Sequence, residues 1–344
     1  MEYFSLPDSK DQAAKKIAGF DLDGTIITTK SKRRFPKDKD DWVLCSDSVV
    51  EKLHTLHSKG YSIVVFTNQK NLEKRMKKSE FKEKCSNIQK AVGVPMMFYI
   101  SLENGYMRKP FPGMFEFHKK HHPLMLEESF YVGDAWSKKS CFSDSDLRFA
   151  QNCQITFYRA QDFFAVNAAI EPYDEVTQSP FRDRDPRFVS TQLQLRQFLT
   201  NKDYVFIVSP PASGKTTFCE RYLPEFVRLS KDDHKGVSKY RKIIKDNADN
   251  KIVFDNTNST FHSRETLLSY LPKKNIGYIV RNVSKEQSLY LNKYRCFVTK
   301  GQEDLLPDVA IYSHYKRLQI PTGDNVFHID SAWITAQQMA SFFC

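Results

Sequence analysis

At 344 residues the chain exceeds what one compact core needs, which argues for two domains of roughly 150 to 170 residues each. Its 52 Lys and Arg against 41 Asp and Glu give a formal charge of +11, a balance that favours a polyanionic partner such as nucleic acid. Seven cysteines without a CxxC pair argue against a zinc site or a disulfide framework, and no secretory pattern or apolar run of membrane-spanning length is present, so a soluble protein of a reducing compartment with no membrane partner is expected.

The first predicted strand, Ile17 to Phe20, runs directly into Asp21-Leu22-Asp23-Gly24-Thr25. Residues two apart in a strand face the same way, so Asp21 and Asp23 address one reacting centre. Gly24 and Thr25 supply the turn, and in an open α/β sheet the ligand crevice lies beyond the carboxyl ends of the strands. One carboxylate so placed can attack phosphorus, while the other protonates the leaving oxygen and later activates water. This DxDGT after a hydrophobic strand resembles the haloacid dehalogenase-like phosphatases.

A predicted helix from Asp47 to Lys59, capped by Gly60, leads to a second buried strand, Tyr61 to Phe66, that ends in Thr67-Asn68-Gln69. The Thr67 hydroxyl can donate to a phosphoryl oxygen; an ordinary polar strand end accounts for it equally well. Between Lys70 and Lys90, the cations Lys74, Arg75, Lys77, Lys78, Lys82 and Lys84 can track a DNA backbone or form a solvated helix face. Lys30, Lys32, Arg33 and Arg34 can hold DNA phosphates near Asp21 or serve as a targeting signal. Arg108-Lys109-Pro110 and the strand-end sequence Val132-Gly133-Asp134 match the third and fourth motifs of the phosphatase family. The resemblance implies that Lys109 neutralises Asp21 and the phosphate, that Asp134 holds Mg²⁺, and that Asp144 or Asp146 orients its water shell.

Interruptions at Glu171-Pro172, Ser179-Pro180 and Asp185-Pro186 mark a boundary, giving a phosphatase domain over 1–168, a linker over 169–200 and a second domain over 201–344. Val205 to Val208 reads as a strand that enters Ser209-Pro-Pro-Ala212-Ser213-Gly214-Lys215-Thr216-Thr217, followed by a helix-like stretch. In such a P-loop, backbone N–H groups cradle nucleotide phosphates, the lysine reaches the β and γ phosphates and the next hydroxyl takes Mg²⁺. Serine at 209 replaces the first glycine of the pattern, so less conformational freedom is expected in that turn. Asp232, beyond the strand Phe226 to Leu229, is placed to accept a proton from an attacking hydroxyl. A third strand, Ile252 to Phe254, ends in Asp255-Asn256-Thr257-Asn258. A helix around Glu286 to Arg295 bears Lys293 and Arg295 and can close over ATP, with Arg295 stabilising the transferring phosphoryl.

Together, DxDGT, TNQ, RKP and VGD followed by a P-loop, an Asp base, DNTN and a basic lid resemble the polynucleotide kinase/phosphatases, from about Lys16 to Phe342. The resemblance implies two α/β domains, a haloacid dehalogenase-like phosphatase then a P-loop kinase, each with a mainly parallel sheet. It implies removal of 3′-phosphates and ATP-dependent phosphorylation of 5′-hydroxyls at DNA ends, by a nuclear monomer. Mg²⁺ would sit with Asp21, Asp23 and Asp134 in one site and Thr216 in the other. ATP would contact Ser209, Ala212, Ser213, Gly214, Lys215, Thr216 and Thr217, with Lys293 and Arg295 from the lid. Departures are Ser209, Lys231 where an arginine is usual, Lys293 in place of a lid arginine, and no glycine after Gln69. With barely 16 residues before the first catalytic strand, no forkhead-associated domain is expected, nor recruitment through one. The alternative is a 3′-phosphatase whose Ser209-bearing loop no longer catalyses.

Overall fold

The computed structural model describes residues 15–166, 169–175, 188–233, 237–272 and 275–329. Two compact units emerge, one holding the described residues up to Glu175, the other the elements from Phe188 to Arg295 and from Leu305 onward. In the first, strands β1 (Ile17–Phe20), β2 (Ser62–Asn68), β3 (Met96–Ser101), β4 (Phe130–Gly133) and β5 (Thr156–Arg159) form one sheet in the order β3-β2-β1-β4-β5. Every pairing is parallel. The near-continuous apolar runs of β1 and β2 reflect burial on both faces of such a sheet.

Alternation along β2 divides two cores: Val65 joins Phe20, Phe98, Leu53 and Phe81 on one face, while Val64 and Phe66 join Tyr131, Phe115 and Phe149 on the other. The chain builds outward from β1 through β2 and β3, then returns to add β4 and β5 on the opposite side. The reversal of direction opens a crevice at the carboxyl ends of β1 and β4. Between Thr25 and Tyr61 lie only a two-stranded ribbon, Ile27–Thr28 with Val43–Leu44, and helix Ser48–Ser58, so no large cap is inserted in that segment.

The second unit holds another five-stranded sheet of β6 (Tyr204–Val208), β7 (Phe226–Leu229), β8 (Lys251–Phe254), β9 (Ile276–Arg281) and β10 (Val326–Ile329), ordered β10-β9-β6-β8-β7 and parallel throughout. Phe206 and Phe254 stack at 4.5 Å across the central strands. The segment expected as a linker departs from expectation: helix Phe188–Leu199 forms within it, and Leu195 and Leu199 are buried in the second core. Their spacing of four places both on one helical face, a pattern the proline-based boundary overlooks. Linker residues 176–187 and the end of the expected kinase span, 330–344, lie outside the described residues. No helix among the described residues is long and apolar enough to cross a membrane.

Phe66 is fully buried, stacks on Tyr99 at 5.3 Å and meets Phe149 at 5.4 Å. Phe66→Ala is expected to destabilise the first unit by about 3–5 kcal/mol, read as a lowered urea midpoint in its unfolding.

Candidate active site

Asp21 leaves β1 at the crevice, its backbone N–H donating to Val132 O at 2.9 Å. The buried Lys109 ammonium donates to Asp21 Oδ1, Asp146 Oδ1 and Tyr131 OH, each at 2.7 Å, so each of its three hydrogens has an acceptor. Lys109 is itself held by Asn68, whose amide bonds its backbone in both directions at 3.0 and 3.1 Å. Asp146 Oδ2 accepts the Ala135 N–H at 3.0 Å.

Asp21, Asp134 and Asp146 each present an oxygen within 4.8 Å of the others. Burial first, then the neighbouring carboxylates, push Asp21 well above the carboxylate range against the pull of Lys109, and push Asp134 to about 7. Burial works against the charge of Lys109, but Asp146 and Asp21 outweigh it and raise that amine. Three carboxylates facing one ammonium leave net negative charge, the donor chemistry of a Mg²⁺ site. The side chain of Asp23 stands outside this group of side-chain oxygens. Its Oδ2 accepts from Gln69 Nε2 at 2.6 Å. Of the two later aspartates, Asp146 joins the site, whereas Asp144 turns to Arg148 at 3.2 Å.

Thr67, buried at the end of β2, accepts from Gln69 Nε2 at 3.0 Å, which leaves its hydroxyl hydrogen to donate. Arg108 Nη1 is buried without a partner among the described residues, and burial lowers its guanidinium against the charge of Asp21. A donor therefore waits near Asp21 for an anion. A cleft of about 340 Å³ opens beside Gly24, Thr25 and Asp134, walled by Cys45, Trp136 and Phe164.

In the second unit β6 delivers the P-loop and helix Lys215–Tyr222 at its carboxyl end. Left-handed backbone occurs at Ala212 (φ +58°) and Gly214 (φ +74°), whereas Ser209 is not among the positive-φ residues. The restriction expected from serine at 209 is thus absent, because the turn does not demand glycine there. Ser209 Oγ lies 2.7 Å from Ser213 Oγ, and Ser213 Oγ donates to Pro210 O at 2.8 Å. Arg281 Nη1 donates to Ser213 O at 2.6 Å and Ser288 Oγ to Pro211 O at 2.8 Å, so the loop is braced from outside. Lys215 Nζ donates to Pro210 O at 2.9 Å, and burial, only partly offset by Asp255, lowers its amine to about 8.

Thr216 Oγ1 donates to Asp255 Oδ2 at 2.8 Å, as does Arg228 Nη1 at 2.9 Å, while Asp255 Oδ1 is buried without a partner among the described residues. An orphaned carboxylate oxygen beside the hydroxyl after the P-loop lysine fits a cation bound there. Asp255 is a site residue that sequence reasoning left without a role; its position at the end of a strand next to β6 was the available signal. Thr217 is exposed on the first helical turn, and Asp232 is exposed with its N–H bonded to Ser230 Oγ at 3.2 Å. Lys293 and Arg295 lie on helix Lys285–Val298, which meets the loop through Ser288.

Fold and sites define a haloacid dehalogenase-like phosphatase domain followed by a P-loop kinase domain. The family described as "Polynucleotide kinase 3 phosphatase" matches residues 16–164. A "Bifunctional polynucleotide phosphatase/kinase" of Schizosaccharomyces pombe is 30% identical over 92% of this chain and 79% of its own. The chain is also similar to an "Uncharacterized 20.8 kDa protein in FGF-VUBI intergenic region" of Autographa californica nuclear polyhedrosis virus, 43% identical over 44% of this chain and 87% of that one. The "Polynucleotide 3'-phosphatase ZDP" of Arabidopsis thaliana is 32% identical over 44% of this chain and 24% of its own. The chain belongs to the bifunctional polynucleotide phosphatase/kinase family.

Gly24 has φ +84°, and a Cβ there would collide with the Asp134 carboxylate. Gly24→Ala should therefore lower phosphatase turnover by about a hundredfold or more while sparing ATP-dependent phosphorylation by the other unit. Parallel assays of the two activities on one preparation check this.

Proposed function

We propose that this chain heals broken DNA ends, hydrolysing 3′-phosphates at the first site and phosphorylating 5′-hydroxyls with ATP at the second. One observation carries it: a two-aspartate phosphatase centre and a braced P-loop occupy the carboxyl edges of two separate parallel sheets in one chain. Lys109 occupies Asp21 Oδ1, leaving Oδ2 to attack phosphorus. As the P–O3′ bond breaks, Asp23 gives its proton to the departing oxygen. Asp23 then takes a proton from water as water attacks the aspartyl phosphate, which releases inorganic phosphate and restores Asp21. Thr67 and Arg108 donate to the phosphoryl oxygens, and Lys109 holds the nucleophile in place.

In the second site Asp232 accepts the proton of the 5′-hydroxyl as its oxygen attacks the γ-phosphorus, and ADP departs. Lys215, the loop N–H groups and Arg295 bind the phosphates. Mg²⁺, held by Asp21, Asp134 and Asp146 in one site and by Thr216 and Asp255 in the other, would neutralise phosphoryl charge.

An exposed cluster near the first site supports a polymeric substrate. The Arg34 guanidinium lies 5.5 Å from the ring of Phe35 and 5.9 Å from that of Phe142, and Arg75 lies 4.8 Å over Phe35. Phe35 is 55% and Phe142 77% exposed, and exposed rings interleaved with cations suit stacked bases and their phosphates. Of the cations from Lys70 to Lys90, Lys84 is buried and cannot track DNA. The family resemblance would further imply a nuclear monomer. The alternative of an inert kinase domain loses its main support, since position 209 does not require glycine.

The test is a duplex nicked to leave 3′-phosphate and 5′-hydroxyl termini, incubated with Mg²⁺ with and without ATP. Loss of 3′-phosphate without ATP and gain of 5′-phosphate only with it are expected; loss alone would favour the inert kinase domain. Asp21→Asn should abolish the first activity and spare the second, and Lys215→Ala the reverse. Loss of both from either change in a folded protein would contradict independent sites.

A further inference from the structure

Helix Lys78–Val92 turns Phe81, Lys84, Cys85, Ile88 and Val92 toward the first core, an apolar stripe with one cation inside it. The Lys84 side chain is 1% exposed, whereas the Asp23 side chain is 46% exposed. A buried ammonium is costly unless a counter-charge meets it. Among the described residues, the ion pair that Lys84 makes is with Asp23 Oδ1, at 3.8 Å, and its Nζ lies 5.8 Å from the centre of the Phe81 ring. Gln69 Nε2 holds the second oxygen, Oδ2, at 2.6 Å and is also bonded to Thr67 Oγ1. Each oxygen of Asp23 is thus addressed by a different group from a different element.

A half-exposed carboxylate has little packing to fix its torsions, and a hydrogen bond to one oxygen with a buried ammonium 3.8 Å from the other favour one orientation for giving or taking a proton. We propose that Lys84 is a positioning residue for Asp23, fixing the carboxyl from beneath while Gln69 fixes it from the strand end. The inference rests on Asp23 being the proton carrier, as proposed above. Lys84 does not touch the substrate; it acts through the orientation of Asp23.

Leaving-group dependence separates this role from a structural one. The 3′-oxygen of a nucleotide is a poor leaving group and needs a proton as it departs, whereas p-nitrophenolate does not. Single-turnover release, with enzyme in excess and Mg²⁺ present, would be measured for a 3′-phosphorylated oligonucleotide and for p-nitrophenyl phosphate. Lys84→Met keeps the length and apolar packing of the stem, and Asp23→Asn is the reference.

Both variants should slow oligonucleotide release, Lys84→Met by about tenfold to a hundredfold, and slow p-nitrophenol release much less. The double variant should be little worse than Asp23→Asn alone, because the two changes remove one function. Equal loss on both substrates in Lys84→Met, or no loss on either, overturns the role of Lys84. Equal loss on both substrates in Asp23→Asn overturns instead the assignment of Asp23 on which it rests. Release of p-nitrophenol by each variant also reports that the site is folded, and Lys84→Gln provides a second neutral replacement should methionine fail that check.

Discussion

The buried Lys109 ammonium is the point from which the first active site is built. A charge so buried survives only if every hydrogen is bonded and opposite charge is close. Asp21, Asp146 and Tyr131 meet that demand together, and they come from the ends of β1, the start of helix Ser145–Cys153 and the middle of β4. One interaction therefore ties three elements around the crevice. Asn68, at the end of β2, closes the arrangement by holding the Lys109 backbone. The excess of carboxylates over this one ammonium then creates the demand for a cation.

The second site meets the opposite problem with the same economy of groups. Lys215 and Arg281 are cations whose burial disfavours charge, lowering them to about 8 and about 10. Loop carbonyls of Pro210 and Ser213 accept their hydrogen bonds, and Asp255 supplies opposing charge to both. An anion relieves only the second site, whose cationic loop suits polyphosphate; the first holds an excess of carboxylates that a cation must offset. Each set of charges sits at the edge of its own sheet.

Most of the scaffold was legible because parallel strands buried on both faces leave continuous apolar runs, and catalytic groups cluster at their carboxyl ends. The β1 segment and the strand Phe226–Leu229 have the expected bounds, and helix Ser48–Ser58 lies within one residue of its expected span at each end. Long-range partners were not legible. Lys84 reads as one cation in a basic run, and only the rotation of its helix reveals that it faces the core rather than water. Asp144 and Asp146 are indistinguishable by composition, yet the helix start turns one toward Lys109 and the other toward Arg148. Helix Phe188–Leu199 was masked by the prolines before it, whose effect on local backbone does not extend to Leu195 and Leu199.

Serine at 209 shows why a consensus residue should be judged by the torsion it must adopt. Glycine is needed where φ is positive, and in this loop those positions are 212 and 214. Gly214 meets the demand at no steric cost, whereas Ala212 at φ +58° carries strain of about 1 kcal/mol or more. The residues flanking Ala212 are the two whose carbonyls receive Ser288 and Arg281. Bonds on both sides can hold an alanine in the left-handed region, and the same bonds set the direction of the neighbouring N–H groups before any ligand arrives. A serine at 209 adds to that rigidity, because its hydroxyl meets Ser213 across the loop, which a glycine would not do. The departure from the pattern thus substitutes a side-chain brace for backbone freedom that this turn does not use.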